Sequence, residues 1–105
     1  MKSLARVPAT LDLAEAMAPR LRQADRDEVL AASGMEARDA LLYAVAHSRR
    51  SDAWLLGGEP VAIAGVVDCH GAPHIGVVWM LAADAVEQFP QDLLQGNRER
   101  SEERR

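Results

Sequence analysis

Aromatic residues make up only 4% of these 105 residues, and there is a single cysteine, Cys69. One cysteine excludes an internal disulfide, and with it the small disulfide-stapled folds of secreted proteins; it agrees with a reducing compartment. With two Trp, one Tyr and one Phe, the core has to be built mostly from Ala, Val and Leu. No stretch approaches the about 20 apolar residues a membrane-spanning helix requires. The opening Met1-Lys2-Ser3-Leu4-Ala5-Arg6-Val7-Pro8 has no apolar run of signal-peptide length. Positive charge is not in excess either, with 12 basic against 16 acidic residues and a net charge of −4. Nucleic acids are bound through basic surfaces, so neither a nucleic-acid nor a membrane partner is expected. The basic pairs Arg20 with Arg22 and Arg49 with Arg50 each have an acid close by and read as solvated mixed-charge faces.

What is present is the profile of a folded domain, 49% hydrophobic and 27% charged. The chain is long enough to bury a core without staples. Residues 4–9 read as a short strand closed off by Pro8. Thr10 is a good N-cap for a helix over Leu11 to Ala18, which Pro19 ends or kinks. Asp25-Arg26-Asp27-Glu28 has the form of a capping box, so a second helix is expected to start near Asp25, to bury Val29 and Leu30, and to end at Ser33-Gly34. A third helix runs from Glu36 to about Ser48, with Ala37, Leu41, Ala44 and Val45 on one face and Leu42 widening it.

The period then changes from helical to alternating. Asp52 to Leu56 is a strand, Gly57-Gly58-Glu59 a hairpin turn, and Val61 to Val67 a strand opened by Pro60. His70-Gly71-Ala72-Pro73 is a second turn, followed by a strand over Ile75 to Leu81. Strands apolar on both faces need cover on both faces. The helices supply one cover; a final helix from Gln91 to about Glu103, or a partner chain, supplies the other. The expected class is α/β (α+β): a short strand, two to three helices, a three-stranded antiparallel meander and a C-terminal helix. The domain spans residues 1–95 and a polar charged tail residues 96–105.

Candidate chemistry is sparse. Cys69, His70 and His74 carry metal-ligating atoms, but a structural zinc site takes four ligands and no fourth is apparent, so they are read as turn residues. Cys69 as a nucleophile needs a positioned base; His70 alternates to the other face of a strand, and His47 lies on a helix. Asp68 with Glu59, or Asp84 with Glu87, could be written as acid–base pairs, but Asp84 before Ala85-Val86-Glu87 is explained as a helix N-cap. Trp54 and Trp79 are read as core residues of the sheet, with Trp79 and Met80 as the alternative anchor of a protein interface. No catalytic, cofactor-binding or metal residue is assigned.

The element order β-α-α(-α)-β-β-β-α matches the N-terminal half of the GCN5-related N-acetyltransferase (GNAT) fold. Arg22-Gln23-Ala24-Asp25, followed by Glu28-Val29 and Ala31-Ala32-Ser33-Gly34, resembles a motif of GNAT-like tailed-phage proteins, a family of internal virion and structural proteins. Ala40-Leu41-Leu42, Trp54, Gly58-Glu59-Pro60-Val61-Ala62, Gly65-Val66 and Gly76-Val77-Val78-Trp79-Met80-Leu81 are similar to that family as well, and the likeness covers roughly residues 6–94. Two departures bear on activity. Acetyltransferases of this fold follow the fourth strand with a Gln/Arg-x-x-Gly-x-Gly/Ala loop whose amides bind the coenzyme A pyrophosphate. Here Leu81-Ala82-Ala83-Asp84-Ala85-Val86-Glu87 has no glycine, no base and two carboxylates. The family also continues with a further strand, a helix and a hairpin that this sequence does not contain.

The resemblance thus implies a non-catalytic GNAT-like protein of a phage or prophage, in the virion or the host cytoplasm, with no cofactor. It would act by protein–protein binding or self-association through the exposed edge of the fourth strand, at Ile75, Val77, Trp79, Met80 and Leu81. The alternative is an acetyl-CoA-dependent N-acyltransferase that completes its cleft by dimerising, or a truncated remnant of one.

Overall fold

A computed structural model describes residues 3–69 and 71–88, apart from the side chains of 69, 72–74, 87 and 88. In chain order the elements are β1 (Leu4–Pro8), α1 (Leu11–Met17), a 3-10 turn (Ala18–Arg20), α2 (Gln23–Ser33), α3 (Ala37–His47), β2 (Arg50–Leu56), β3 (Glu59–Cys69), β4 (Ala72–Ala82) and a second 3-10 turn (Asp84–Gln88). The strands form one antiparallel sheet in the order β1-β2-β3-β4. The mixed α and β class expected from the sequence is therefore present, with β1 added to the meander as a fourth strand. The proposed helix over Gln91 to Glu103 and the tail lie outside the described residues.

Local chemistry explains most of the boundaries. The Thr10 side chain accepts the Leu13 amide at 3.1 Å and starts α1, and α1 passes into the 3-10 turn where Pro19 interrupts it. Gly34 ends α2 with φ 73°, a left-handed conformation that side chains with a Cβ resist. Gly57 and Gly58 both have positive φ and turn β2 into β3 in two residues, with Leu56 opposite Glu59.

Two expectations about α2 fail. The helix begins at Gln23, with Arg22 as its cap, so Asp25 is not a cap residue. Its carboxylate is instead buried, 6% exposed, and is used elsewhere. Val29 packs against the core but Leu30 points to solvent, because successive helical residues are about 100° apart and only one of two adjacent apolar residues can face inward. At the far end of the sheet, the Ala83 carbonyl accepts the Val86 amide, so the 3-10 turn opens one residue earlier than an Asp84 cap would require.

The sheet separates two apolar clusters, largely by the parity of its residues, with Val61 at the start of β3 joining the cluster of its neighbour Ala62. Val7, Ala53, Leu55, Ile63, Trp79 and Leu81 face α1 and α3, where Ala14, Met17, Ala37 and Leu41 meet them. Trp54, Ala62 and Ala82 face the other side under Val86, with Leu4, Leu56, Ala64 and Ala85 around them. No helix among the described residues is long and apolar enough to cross a membrane.

Candidate functional site

The features that could do something converge on β4, at its outer edge and at its exit. Among the described residues β4 is the end strand, and half of its backbone groups point away from β3. The register of Ile63 with Leu81 and Gly65 with Trp79, together with the bond from the Ala83 amide to the Val61 carbonyl at 2.9 Å, turns the odd-numbered backbone groups inward. Gly76, Val78, Met80 and Ala82 therefore direct their N–H and C=O groups outward.

At Ala82 those outward groups are already used. Its amide donates to Asp25 Oδ2 at 2.8 Å, and its carbonyl accepts the Arg22 amide at 2.9 Å. The same carboxylate is held by the Arg22 guanidinium, Nη2 to Oδ1 at 2.9 Å and Nε to Oδ2 at 3.3 Å. Leu21 forms a single antiparallel bridge with Ala83, and Arg26 ties α2 back to the carbonyls of Ala18 and Leu21 at 2.7 and 3.2 Å. The start of α2 thus acts as a polar clamp on the last residue of β4.

The exit of β4 is a poor anion site for the same reason. The amides of Ala82, Ala83 and Val86 are all committed to acceptors within the protein. Both guanidiniums of the cluster are engaged, that of Arg22 by Asp25 and that of Arg26 by the carbonyls of Ala18 and Leu21. The exposed Asp84 carboxylate stands at the start of a turn only five residues long. A pyrophosphate there would meet the Asp84 carboxylate and the committed amides of Ala82, Ala83 and Val86, which disfavours an anion.

The five residues expected at an interface divide by face. Val77 is 49% exposed on the helix side of the sheet, and Ile75, 50% exposed, lies in the irregular stretch before Gly76. Met80 is half-buried on the other side. Leu81 and Trp79 face the protein's own core: Leu81 is buried, and the Trp79 indole N–H donates to Ser48 Oγ at 2.7 Å. Gly65 makes room for that indole, since a Cβ there would lie 2.9 Å from Trp79 Nε1 and 2.8 Å from the Arg50 carbonyl oxygen. Val78, absent from the sequence reading, is 44% exposed; strict alternation along β4 would have singled it out.

The other candidates do not assemble. Glu59 and Asp68 lie at opposite ends of β3, roughly 30 Å apart at the rise of a strand. Each is paired with an arginine, Glu59 with Arg20 at 3.3 Å and Asp68 with Arg49 at 3.4 Å, so they form no acid–base couple. His47 is exposed and stacks on Tyr43 with ring centroids 4.1 Å apart. The side chains of Cys69, His70, His74 and Glu87 lie outside the described ones. Trp54 is buried, with the Arg6 guanidinium 5.8 Å from its ring centroid.

Compared with known proteins, the chain matches no family model, no curated protein and no solved structure.

Proposed function

We propose that this chain is a non-catalytic protein-binding domain with the layout of the N-terminal half of a GNAT fold. It would serve a phage or prophage as a virion structural or internal protein and take no cofactor. The observation that carries the non-catalytic reading is the exit of β4. In an acetyltransferase of this fold that exit must present free amides to the coenzyme pyrophosphate; here the Ala82 amide is spent on Asp25, the Ala83 amide on Val61 and the Val86 amide on Ala83. The strand order β1-β2-β3-β4 with helices between β1 and β2 supports the layout. The phage setting, in the virion or the host cytoplasm, is supported by the sequence resemblance over roughly residues 6–94.

Calorimetric titration of the full chain with acetyl-CoA tests this reading. The expected result is no saturable heat up to about 1 mM ligand, a limit of roughly 4 kcal/mol in binding free energy. Saturable micromolar binding would overturn it and restore the acyltransferase alternative.

A further inference from the structure

We propose that two copies of this chain pair edge to edge through β4, antiparallel about a two-fold axis at Val78. The proposal rests on the protein-binding reading above and names the partner as a second copy. Two structural boundaries define the usable edge. Beyond Met80, the outward groups of Ala82 are occupied by Asp25 and Arg22, and Leu21 stands beside Ala83 where a further strand would run. Before Gly76, the ladder with β3 becomes irregular: Asp68 is opposite Gly76, but Cys69 is opposite Ala72, so β4 carries extra residues there. Among the described residues the regular open edge is therefore Gly76 to Met80, and its midpoint is Val78.

An edge with a midpoint residue whose N–H and C=O both point outward can pair with itself. Val78 would oppose the partner's Val78 as a hydrogen-bonded pair, and Gly76 would oppose the partner's Met80, the smallest side chain against a long one. Residue parity is preserved, so each face of one sheet continues into the same face of the other, and Val78 meets an apolar residue in place of water. Charge permits the contact too. β4 from Ala72 to Ala82 contains no Asp, Glu, Lys or Arg, so no like charges of the strand itself are brought opposite; the nearest charge is the Arg49 guanidinium, which lies against Gly76 and is paired with Asp68. Five paired residues and the flanking aliphatic side chains make an interface at the low end of the size range, under about 1,200 Å², which implies a weak, concentration-dependent dimer.

Sedimentation equilibrium of the full chain from about 10 µM to 1 mM, the range in which small interfaces associate, is expected to show the mass rising from 11.4 kDa towards twice that value. Val78→Pro removes an N–H that β3 does not use, a place where an edge strand tolerates proline, and is expected to remain monomeric throughout. If that variant does not fold, Val78→Lys serves: the exposed lysine is harmless in a monomer and faces its own copy across the axis. In a Cys69→Ser background, Val78→Cys is expected to oxidise to a cross-linked dimer, because hydrogen-bonded strand partners have Cα atoms about 5.5 Å apart, inside disulfide range. Tyr43→Cys, exposed on α3, is expected not to. A wild-type mass that stays monomeric at the highest concentration, association unchanged in a folded Val78 variant, or equal cross-linking at positions 43 and 78 would each overturn the proposal. A monomer that fails to bind acetyl-CoA would leave the proposed function standing, and a dimer that binds it would overturn that function alone.

Discussion

Replacing Asp25 with alanine removes the acceptor of four hydrogen bonds at once, at a residue that is 6% exposed. The Ala82 amide loses its acceptor, and a hydrogen bond to an ionised group contributes about 1.5–3 kcal/mol. The Arg22 guanidinium loses a two-nitrogen contact, but its side chain is 27% exposed and water recovers part of the charge, so that share is only about 0.5–1 kcal/mol. The expected loss is therefore about 2–4 kcal/mol, a large part of the roughly 5–15 kcal/mol that stabilises a domain. For a chain of this size it corresponds to a melting temperature lower by about 10–20 °C. Asp25→Asn keeps an oxygen for the Ala82 amide and loses the charge, so it should cost about half as much. Urea unfolding followed by tryptophan emission gives the free energies, and amide exchange at Ala82 reports the local bond, which should open faster in the alanine variant. A cost for Asp25→Ala within about 0.5 kcal/mol, the range of an ordinary surface change, would refute the clamp. So would equal costs for the alanine and asparagine variants.

Three further substitutions test the packing on the helix side of the sheet. Gly65→Ala places a Cβ 2.8 Å from a backbone oxygen and 2.9 Å from the Trp79 indole, and should cost about 1–3 kcal/mol with a shift in tryptophan emission, read by urea unfolding and fluorescence. Leu41→Ala, fully buried between helices and sheet, should cost about 2–5 kcal/mol, whereas Leu30→Ala should stay within about 0.5 kcal/mol; equal melting temperatures for the two would contradict the placement of α2.

The elements whose signals are local were legible in the sequence. Thr10 caps a helix through an amide three residues away, Gly34 stops one through its own φ, and Gly57-Gly58 closes a hairpin through two left-handed residues. None of these depends on what lies across the fold. Asp25 was misread because a helix cap and a buried bridging acid share the same local text. Its deciding partner, Ala82, is 57 residues away. The spacing of Arg22 and Asp25, three apart, was the available hint of an ion pair on one helical face. Trp79 is a similar case: whether it anchors a partner or fills the core depended on Ser48, 31 residues earlier, and on the space that Gly65 leaves open. Alternation along β4 could have placed Val78 and Met80 on one face and Trp79 and Leu81 on the other, but an apolar run on both faces hides that difference until the helices are in position.

The clamp also explains how α2 can be where it is. Of its side chains, Asp25 alone is fully buried, Val29 is the one that packs against the core, and Leu30 is exposed. Apolar burial is non-directional, and with so little of it the helix could slide or rotate at small cost. Hydrogen bonds are directional, and here they act at the N-terminal end: Arg22 and Asp25 hold the end of β4, and Arg26 holds the carbonyls of Ala18 and Leu21. The position of α2 is thus set by polar bonds, and those bonds consume the amide and the cation that an anion at the β4 exit would need. Fastening the helix and excluding the phosphate follow from one arrangement. A variant that freed the Ala82 amide for an anion would have to release Asp25 and, with it, find another way to hold α2.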